Sequence, residues 1–248
     1  MRRYWIDKQQ IQGELVEFTG EQLHHLRDVC RLDVGSKFEV LFEDSKAHFV
    51  EMMEMSKRQA LAKILETRDI PPLPLPQINL AVSLPKFQKL DTIIEKSVEL
   101  GVGQVLPFVS QFSFIRNLSK ISDNKRQRWQ KIVLSATQQC GRGELMQVLE
   151  PVSFSQSLEQ LNRKPQCKCL FLYEGDGDMS LKSALSSLKT ETIQEIWVFV
   201  GSEGGFSDGE VEQMRASGLV PITVGDQVLR VETACIAAVS MLHYHFRL

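Results

Sequence analysis

The sequence lacks the features that mark several large classes of protein. No apolar run approaches the roughly 20 residues that a membrane-spanning helix needs. The basic start, with Arg2 and Arg3, is not followed by the apolar core of a secretory leader. The five cysteines form no CxxC pair or other zinc spacing, and 29 basic residues nearly balance 31 acidic ones in the 248-residue chain. We therefore expect a reduced, cytoplasmic protein without metal, without membrane contact and without a global charge that attracts nucleic acid.

Two of the cysteines, Cys167 and Cys169, form a CxC pair. Because alternate side chains of a strand point to the same face, the pair is predicted to share one face of a strand. Reduced strand cysteines without a special role explain the pair as well as any function does.

Four prolines within residues 71–76 divide the chain. Such a segment favours an extended backbone that joins domains and does not fit inside a sheet. Before it, residues 38–42 and 48–52 predict a β-hairpin, residues 59–65 another strand and residues 22–29 a short helix. We expect a small β-rich barrel over residues 1–72.

After the prolines, predicted strands and helices alternate over residues 73–248. This alternation is typical of an α/β domain with a mostly parallel sheet, in which ligands bind at the carboxyl ends of the strands. The predicted strands are 78–82, 102–108, 168–173, 195–200 and 219–224, and the predicted helices are 87–100, 119–139, 181–188, 208–217 and 232–246.

Glycine-containing turns follow three of these strands, at residues 172–175, 200–206 and 224–230. Glycine permits positive φ and close approach of a backbone to a ligand, although any one turn could be a plain connection. The turns match neither GxGxxG nor GxxxxGK[ST], and Glu203 would repel a pyrophosphate. A ligand that combines an adenosine with a cationic centre fits this lining better, and S-adenosylmethionine is the obvious example.

A basic stretch over residues 116–142 carries seven Lys and Arg against one acidic residue, Asp123. Clustered cations bind phosphates, although a helix face exposed to water would have a similar composition. A second basic set lies in the predicted barrel, and an RNA clamp would use both. The arginines expected to contact RNA are Arg2, Arg3, Arg27, Arg31, Arg126 and Arg142.

Several motifs together resemble the 16S ribosomal RNA uridine-N3 methyltransferase family, which belongs to the SPOUT superfamily. The resemblance rests on GSEGGFS at 201–207 and GDQVLRVETA at 225–234, on HHLRDVCRL at 24–32, on EKSVELG at 95–101, and on QQCGR at 138–142. It covers essentially the whole chain. It implies methylation of N3 of one uridine in 16S ribosomal RNA, either free or in the assembled small subunit.

The resemblance also implies a PUA-like RNA-binding β-barrel followed by a SPOUT domain whose C-terminal part forms a trefoil knot. It implies a homodimer that binds S-adenosylmethionine in the knot. The residues then expected to hold the cofactor are Leu172, Gly201, Gly205, Val224, Gly225, Val228, Leu229 and Thr233.

Methyl transfer to N3 needs stabilisation of a uracil anion, and Arg230 at the third turn is the leading candidate for this role. Its alternative role is to pair with Glu203 or Glu232 and hold the loop. Glu203 is a second catalytic candidate, as a base if burial raises its pKa, or as a residue that orients Arg230. A non-catalytic RNA-binding factor that keeps the fold, and a small-molecule nucleotide enzyme, remain alternative functions.

Overall fold

A computed structural model of the chain describes residues 2–174, 179–186 and 192–247. The chain divides into two units. The first comprises Met1–Pro72 together with Thr137–Leu145, and the second comprises Leu73–Ala136 together with Met146–Leu248. The short segment Thr137–Leu145 therefore belongs to the first unit, although it lies far beyond the predicted domain boundary in the sequence.

The first unit is built on one six-stranded mixed sheet that curls around a single core. Its strands run in the order β1-β4-β5-β6-β3-β2, and the predicted hairpin is confirmed as β4 and β5, which pair Phe38 with Val50. The core forms because alternate strand residues, such as Phe38 and Val40, point inward and lose all contact with water. The elements are β1 Arg3–Trp5, β2 Ile11–Gln12, β3 Leu15–Phe18, α1 Gly20–His24 with a π-helical turn over His25–Val29, β4 Lys37–Leu41, β5 Lys46–Met55 and β6 Ala60–Asp69.

The second unit is the predicted α/β arrangement, and its described residues form eight strands whose pairs are all parallel. The strands are β7 Gln77–Ser83, β8 Gln104–Val109, β9 Gln147–Val148, β10 Val152–Ser153, β11 Cys167–Leu172, β12 Met179–Ser180, β13 Glu195–Val200 and β14 Val220–Thr223. The helices are α2 Phe87–Glu99, α3 Asp123–Cys140, α4 Phe154–Asn162, α5 Leu181–Ser186, α6 Asp208–Ala216 and α7 Val231–Arg247. The last residues of α3 belong to the first unit.

The order of the strands in this sheet is β10-β8-β7-β13-β11-β14-β12, with β9 beside β8. The central strands are buried on both faces, and Trp197 and Phe199 of β13 have no exposed surface. Parallel strands covered by helices on both faces need such continuous apolar runs. The carboxyl ends of β7, β8, β11, β13 and β14 therefore lie along one edge of the sheet.

Helix ends follow from local sequence. Helix α2 ends at Glu99, one residue before the predicted end, and Leu100 and Gly101 follow it; the φ of 75° at Gly101 suits a residue just beyond a helix. Helix α6 begins after Ser207, whose backbone N–H donates to the Glu210 carboxylate at 3.0 Å. The predicted start of α3 at residue 119 is wrong. Ile121 adopts an extended backbone and buries its side chain, so the helix begins at Asp123.

One helix, α4, was not predicted from its sequence. Ser153 begins it with a capping box that includes Gln156, and four of its side chains are buried. The predicted helix over residues 181–188 is present as α5 up to Ser186, and its last two residues lie outside the described residues.

Candidate functional site

A cavity of about 680 Å³ opens where three strands of the second unit end. Its wall comes from the loops that follow β11, β13 and β14, together with the first turns of α2 and α7. Side chains and backbone groups from these separate parts of the chain meet because parallel strands end at the same edge. The first predicted glycine turn contributes through residues 172–174, and Gly175 lies outside the described residues.

The loop after β13 is a tight turn that has no room for a side chain at Gly201. A Cβ atom there would lie 2.9 Å from the backbone Cα and carbonyl carbon of Gly205. The turn is closed by the Gly205 N–H, which donates to the Ser202 carbonyl at 2.9 Å, and Gly205 itself has a φ of 68°. The glycines thus set the shape of the cavity wall and leave backbone groups facing the space.

One lysine joins two carboxylates at this site. Lys89 Nζ, from the first turn of α2, lies 3.0 Å from Glu203 Oε1 and 3.6 Å from Glu232 Oε2 at the start of α7. Burial by itself would raise the pKa of Glu203, but hydrogen bonds from backbone groups and from Lys89 outweigh it, and the pKa lies below its ordinary value. The condition for Glu203 to act as a base, a pKa raised by burial, is therefore not met.

Arg230 lies at the cavity where the third loop meets α7, and its side chain is exposed. Its carbonyl accepts the Ala234 N–H at 2.8 Å, so its backbone is fixed by the first turn of the helix. Within the described part of the chain, no carboxylate lies within ion-pair distance of Arg230. Glu203 and Glu232, its predicted partners, form their ion pairs with Lys89 instead. The guanidinium is thus available to a bound molecule.

Seven of the eight residues predicted to hold the cofactor line the cavity. Thr233 is exposed on α7 and is not among the residues that line the cavity, although its neighbour Ala234 is. The residues that the cavity brings together are Leu172, Gly201, Gly205, Val224, Gly225, Val228 and Leu229. Their contacts with a cofactor remain predictions.

Sequence reasoning missed other lining residues, chiefly Lys89, Tyr173 and Phe206. No spacing rule links Lys89 to the glycine turns, because it lies on another helix far away in sequence. Tyr173 and Phe206 lie within the predicted glycine turns at 172–175 and 200–206, so their membership of these turns could have identified them.

The arginines predicted to contact RNA in the first unit have different environments. Arg3 donates to Glu39 Oε2 at 2.7 Å, and Arg27 donates to Asp28 Oδ2 at 2.7 Å. Arg2 donates to the Cys30 carbonyl at 2.5 Å. Arg31 is exposed and has a φ of 53°. Since ion pairs already engage two of these cations, the four do not form a uniformly available set.

The remaining two predicted arginines are Arg142, in the first unit, and Arg126, in the second. Burial lowers the pKa of Arg142. Arg126 pairs with Asp123 and Glu150, each at 2.9 Å. All six RNA contacts stay predictions.

No group of three or more His, Cys, Asp or Glu residues in the described ranges could hold a metal ion. None of the helices described has the length and apolar character to cross a membrane. The CxC pair does share one face of β11, with the two Sγ atoms 3.9 Å apart.

Comparison with known proteins identifies both units. Residues 71–243 match the model of an RNA methyltransferase domain, and residues 18–65 match an RNA methyltransferase PUA domain. The ribosomal RNA small subunit methyltransferase E of Bacillus subtilis is 33% identical, covering 100% of this chain and 98% of the relative. The protein of the same name from Synechocystis is 31% identical over 97% of this chain and 77% of its own length.

Solved structures agree with this assignment. The ribosomal RNA small subunit methyltransferase E of Neisseria gonorrhoeae, bound to S-adenosyl methionine, has a TM-score of 0.83 and 26% identity, covering 99% of this chain and 98% of its own. A putative methyltransferase from Legionella pneumophila, in complex with the same cofactor, has a TM-score of 0.85 and 25% identity over 98% and 97%. The chain is therefore a member of the RNA methyltransferase family to which the ribosomal RNA small subunit methyltransferase E proteins belong.

Proposed function

We propose that this protein transfers a methyl group from S-adenosylmethionine to N3 of a uridine in the 16S RNA of the small ribosomal subunit. The observation that carries the proposal is the cavity with its glycine-fitted wall, in a chain whose relatives are methyltransferases. A non-catalytic RNA-binding factor would have no use for a wall that excludes any side chain at Gly201.

The residues at the cavity fit S-adenosylmethionine. The volume lies within the range of about 300–1,000 Å³ that is usual for small-molecule sites. Leu172, Val228 and Leu229 offer apolar surface for an adenine ring, and backbone groups of the glycine loops can bond the ribose. The carboxylates of Glu174 and Glu203 suit a ligand with a positive centre.

The bound cofactor supplies an electrophilic methyl group on a sulfonium centre. Transfer of this methyl group to N3 would leave S-adenosylhomocysteine and release the N3 proton to solvent, and the negative charge created by loss of the proton would spread to O2 and O4 of the uracil. Arg230, exposed at the cavity and not paired with Glu203 or Glu232, is placed to stabilise this charge. Since N3 lies on the pairing edge, the uridine must be unpaired or extruded from the helix.

Glu203 serves this reaction as a fixed negative charge. A carboxylate whose pKa is lowered stays ionised at neutral pH and is a weak proton acceptor. Through Lys89 it connects the glycine loop to α2, and Glu232 connects the same lysine to α7. This three-residue contact links three parts of the chain at the cavity.

We also propose that residues 1–72 form a PUA-like RNA-binding domain and residues 73–248 the methyltransferase domain. The two family models support this division, since one ends before the proline segment and the other begins within it. The arginines predicted to bind RNA lie on both sides of the division. Charge reversal within residues 116–142 should weaken RNA binding, whereas a small-molecule enzyme would be unaffected.

A C-terminal trefoil knot of the SPOUT type and a homodimer belong to the same proposal. Support for the knot comes from strand order, because β13 lies between β7 and β11, so that a late strand enters the middle of the sheet. Support for the dimer comes from Met241 and Tyr244 of α7, which are 42% and 73% exposed. A cytoplasmic location fits a ribosomal substrate and five cysteines, all of them described residues, that form no disulfide.

The deciding experiment incubates the purified protein with labelled S-adenosylmethionine and with small ribosomal subunits that lack the modification. Mass spectrometry of the nucleosides then identifies the product. N3-methyluridine at one site is the expected result. Absence of transfer to both subunits and naked 16S RNA, in a protein that binds the cofactor, would contradict the proposal.

A further inference from the structure

Two phenylalanine side chains are exposed next to each other on the loop that follows β8. Phe112 is 40% exposed and Phe114 59%, whereas Ser113 and Ile115 are buried. The loop therefore alternates its side chains like a strand, with the aromatic residues on the outside. These two large apolar side chains leave much of their surface in contact with water instead of in the core, and exposed apolar patches usually mark a binding surface.

The loop is held in place by buried hydrogen bonds. The Ser113 hydroxyl lies 2.9 Å from the Ser83 hydroxyl and accepts the Ser110 N–H at 2.8 Å. The Phe114 N–H donates to the Leu84 carbonyl at 3.0 Å. The two rings are thus carried by a backbone that is ordered before any partner binds, which lowers the entropic cost of binding.

The same loop contacts residues that line the cavity. Ser202 donates its hydroxyl hydrogen to the Phe112 carbonyl at 2.6 Å, and the Gln111 N–H donates to Glu210 Oε1 at 2.8 Å. A Cβ atom on Gly204, which lines the cavity, would lie 2.8 Å from Phe112 Cβ. Phe112 therefore packs directly against the glycine loop that we propose to hold the cofactor.

Several cations lie close to the two rings in space or in sequence. Lys86 Nζ lies 5.8 Å from the centre of the Phe114 ring, and Arg116 and Lys120 follow in a stretch from 110 to 122 that contains no acidic residue. Arg116 and Lys120 are both exposed. Exposed aromatic rings among cations are the composition of surfaces that bind single-stranded nucleic acid, in which bases stack on rings and cations meet phosphates.

We propose that Phe112 and Phe114 form a stacking platform for RNA bases next to the uridine that enters the cavity. The inference rests on the proposed function, because it assigns the RNA substrate of that site a second contact. The platform would hold the neighbouring bases of an extruded nucleotide, whose lost stacking partners the rings replace. Lys86 and Arg116 would contact the phosphates on either side.

The test compares two double variants of the full chain. Phe112→Leu with Phe114→Leu removes the rings but keeps apolar side chains, and Phe112→Tyr with Phe114→Tyr is the matched control that keeps them. We measure binding of a labelled single-stranded 16S RNA fragment, cofactor affinity by calorimetry, and oligomeric state by sedimentation. The leucine pair should bind the RNA at least about tenfold more weakly, and the tyrosine pair within about twofold of the original. Phe114→Leu alone should leave the cofactor affinity unchanged.

Three results would overturn the platform: RNA binding by the leucine pair that equals the original, an equal loss in the tyrosine pair, or a loss that accompanies dissociation of an oligomer. The last would make the rings a contact between copies of the chain. If the leucine pair does not fold, Phe114→Leu alone carries the test, since that ring is the more exposed. Ring-dependent RNA binding without any methyl transfer by the original protein would refute the proposed function and leave the platform intact.

Discussion

Addition of one methyl group at Gly201 should damage the cofactor site. A Cβ atom at this position would lie 2.9 Å from two backbone atoms of Gly205, whereas ordinary contacts of this kind begin near 3.4 Å. Backbone atoms cannot turn aside as a side chain can, so the loop must open or shift by about 0.5 Å. Gly201 has no positive φ, and the effect of Gly201→Ala is therefore one of space alone.

The size of the effect follows from the cost of overpacking, about 1–3 kcal/mol. If the loop shifts only when the cofactor binds, the whole cost appears as weaker affinity, about 5- to 140-fold in Kd. If the loop shifts in the free protein, part of the cost appears as a lower free energy of unfolding. The two losses together should reach about 1–3 kcal/mol.

Titration calorimetry with S-adenosylmethionine and chemical unfolding measure the two losses. Gly209→Ala in α6 is the matched control, because a Cβ atom there meets nothing within 4 Å. That control should bind the cofactor normally and gain as much as about 1 kcal/mol of stability, since alanine favours a helix over glycine. If Gly201→Ala matched the control in both measurements, the reasoning about the loop would be refuted.

Three further changes test the charges. Arg230→Ala should lower methylation about 100- to 1,000-fold in single-turnover assays and change cofactor affinity little, and equal loss of both would make Arg230 a structural residue. Lys89→Met should lower the free energy of unfolding at neutral pH by about 1 kcal/mol. Because the folded pKa of Glu203 is lowered, this difference should disappear as the pH falls through that pKa, and a difference that persisted at low pH would contradict the ion-pair argument. Glu39→Gln in the first unit, whose carboxylate is buried between two arginines, should cost about 3 kcal/mol in denaturant unfolding, and a neutral result would show that those ion pairs contribute nothing.

The glycine turns were predictable because the topology of a parallel sheet leaves them little choice of position. Once strands and helices alternate, the carboxyl ends of the strands share one edge, and the residues after Leu172, Val200 and Thr223 meet there. The start of α6 at residue 208 was predictable because the capping box of Ser207 and Glu210 depends on contacts within one helical turn.

Other features depend on contacts that no local pattern encodes. Lys89 meets Glu232 because α2 and α7 pack against each other, and it meets Glu203 because the loop after β13 comes close to α2; single-sequence periodicity reveals neither contact. The ion pairs that engage Arg3 and Arg126 were missed likewise, because a count of basic residues does not show which carboxylates fold against them. Helix α4 was missed although Ser153 and Gln156 carry the spacing of a capping box.

The first unit consists of two segments that are far apart in the sequence, which affects both its folding during synthesis and the fragments that can represent it. This unit contains Thr137–Leu145, where Gly141 packs against the Arg3 guanidinium and a Cβ on Gly143 would lie 2.9 Å from Ile70 Cβ. A ribosome delivers the chain from its N-terminus, so the N-terminal unit cannot complete its packing until more than half of the protein has been synthesised. A fragment that ends at the proline segment would contain every strand of its sheet and still lack the segment that packs against Arg3 and Ile70.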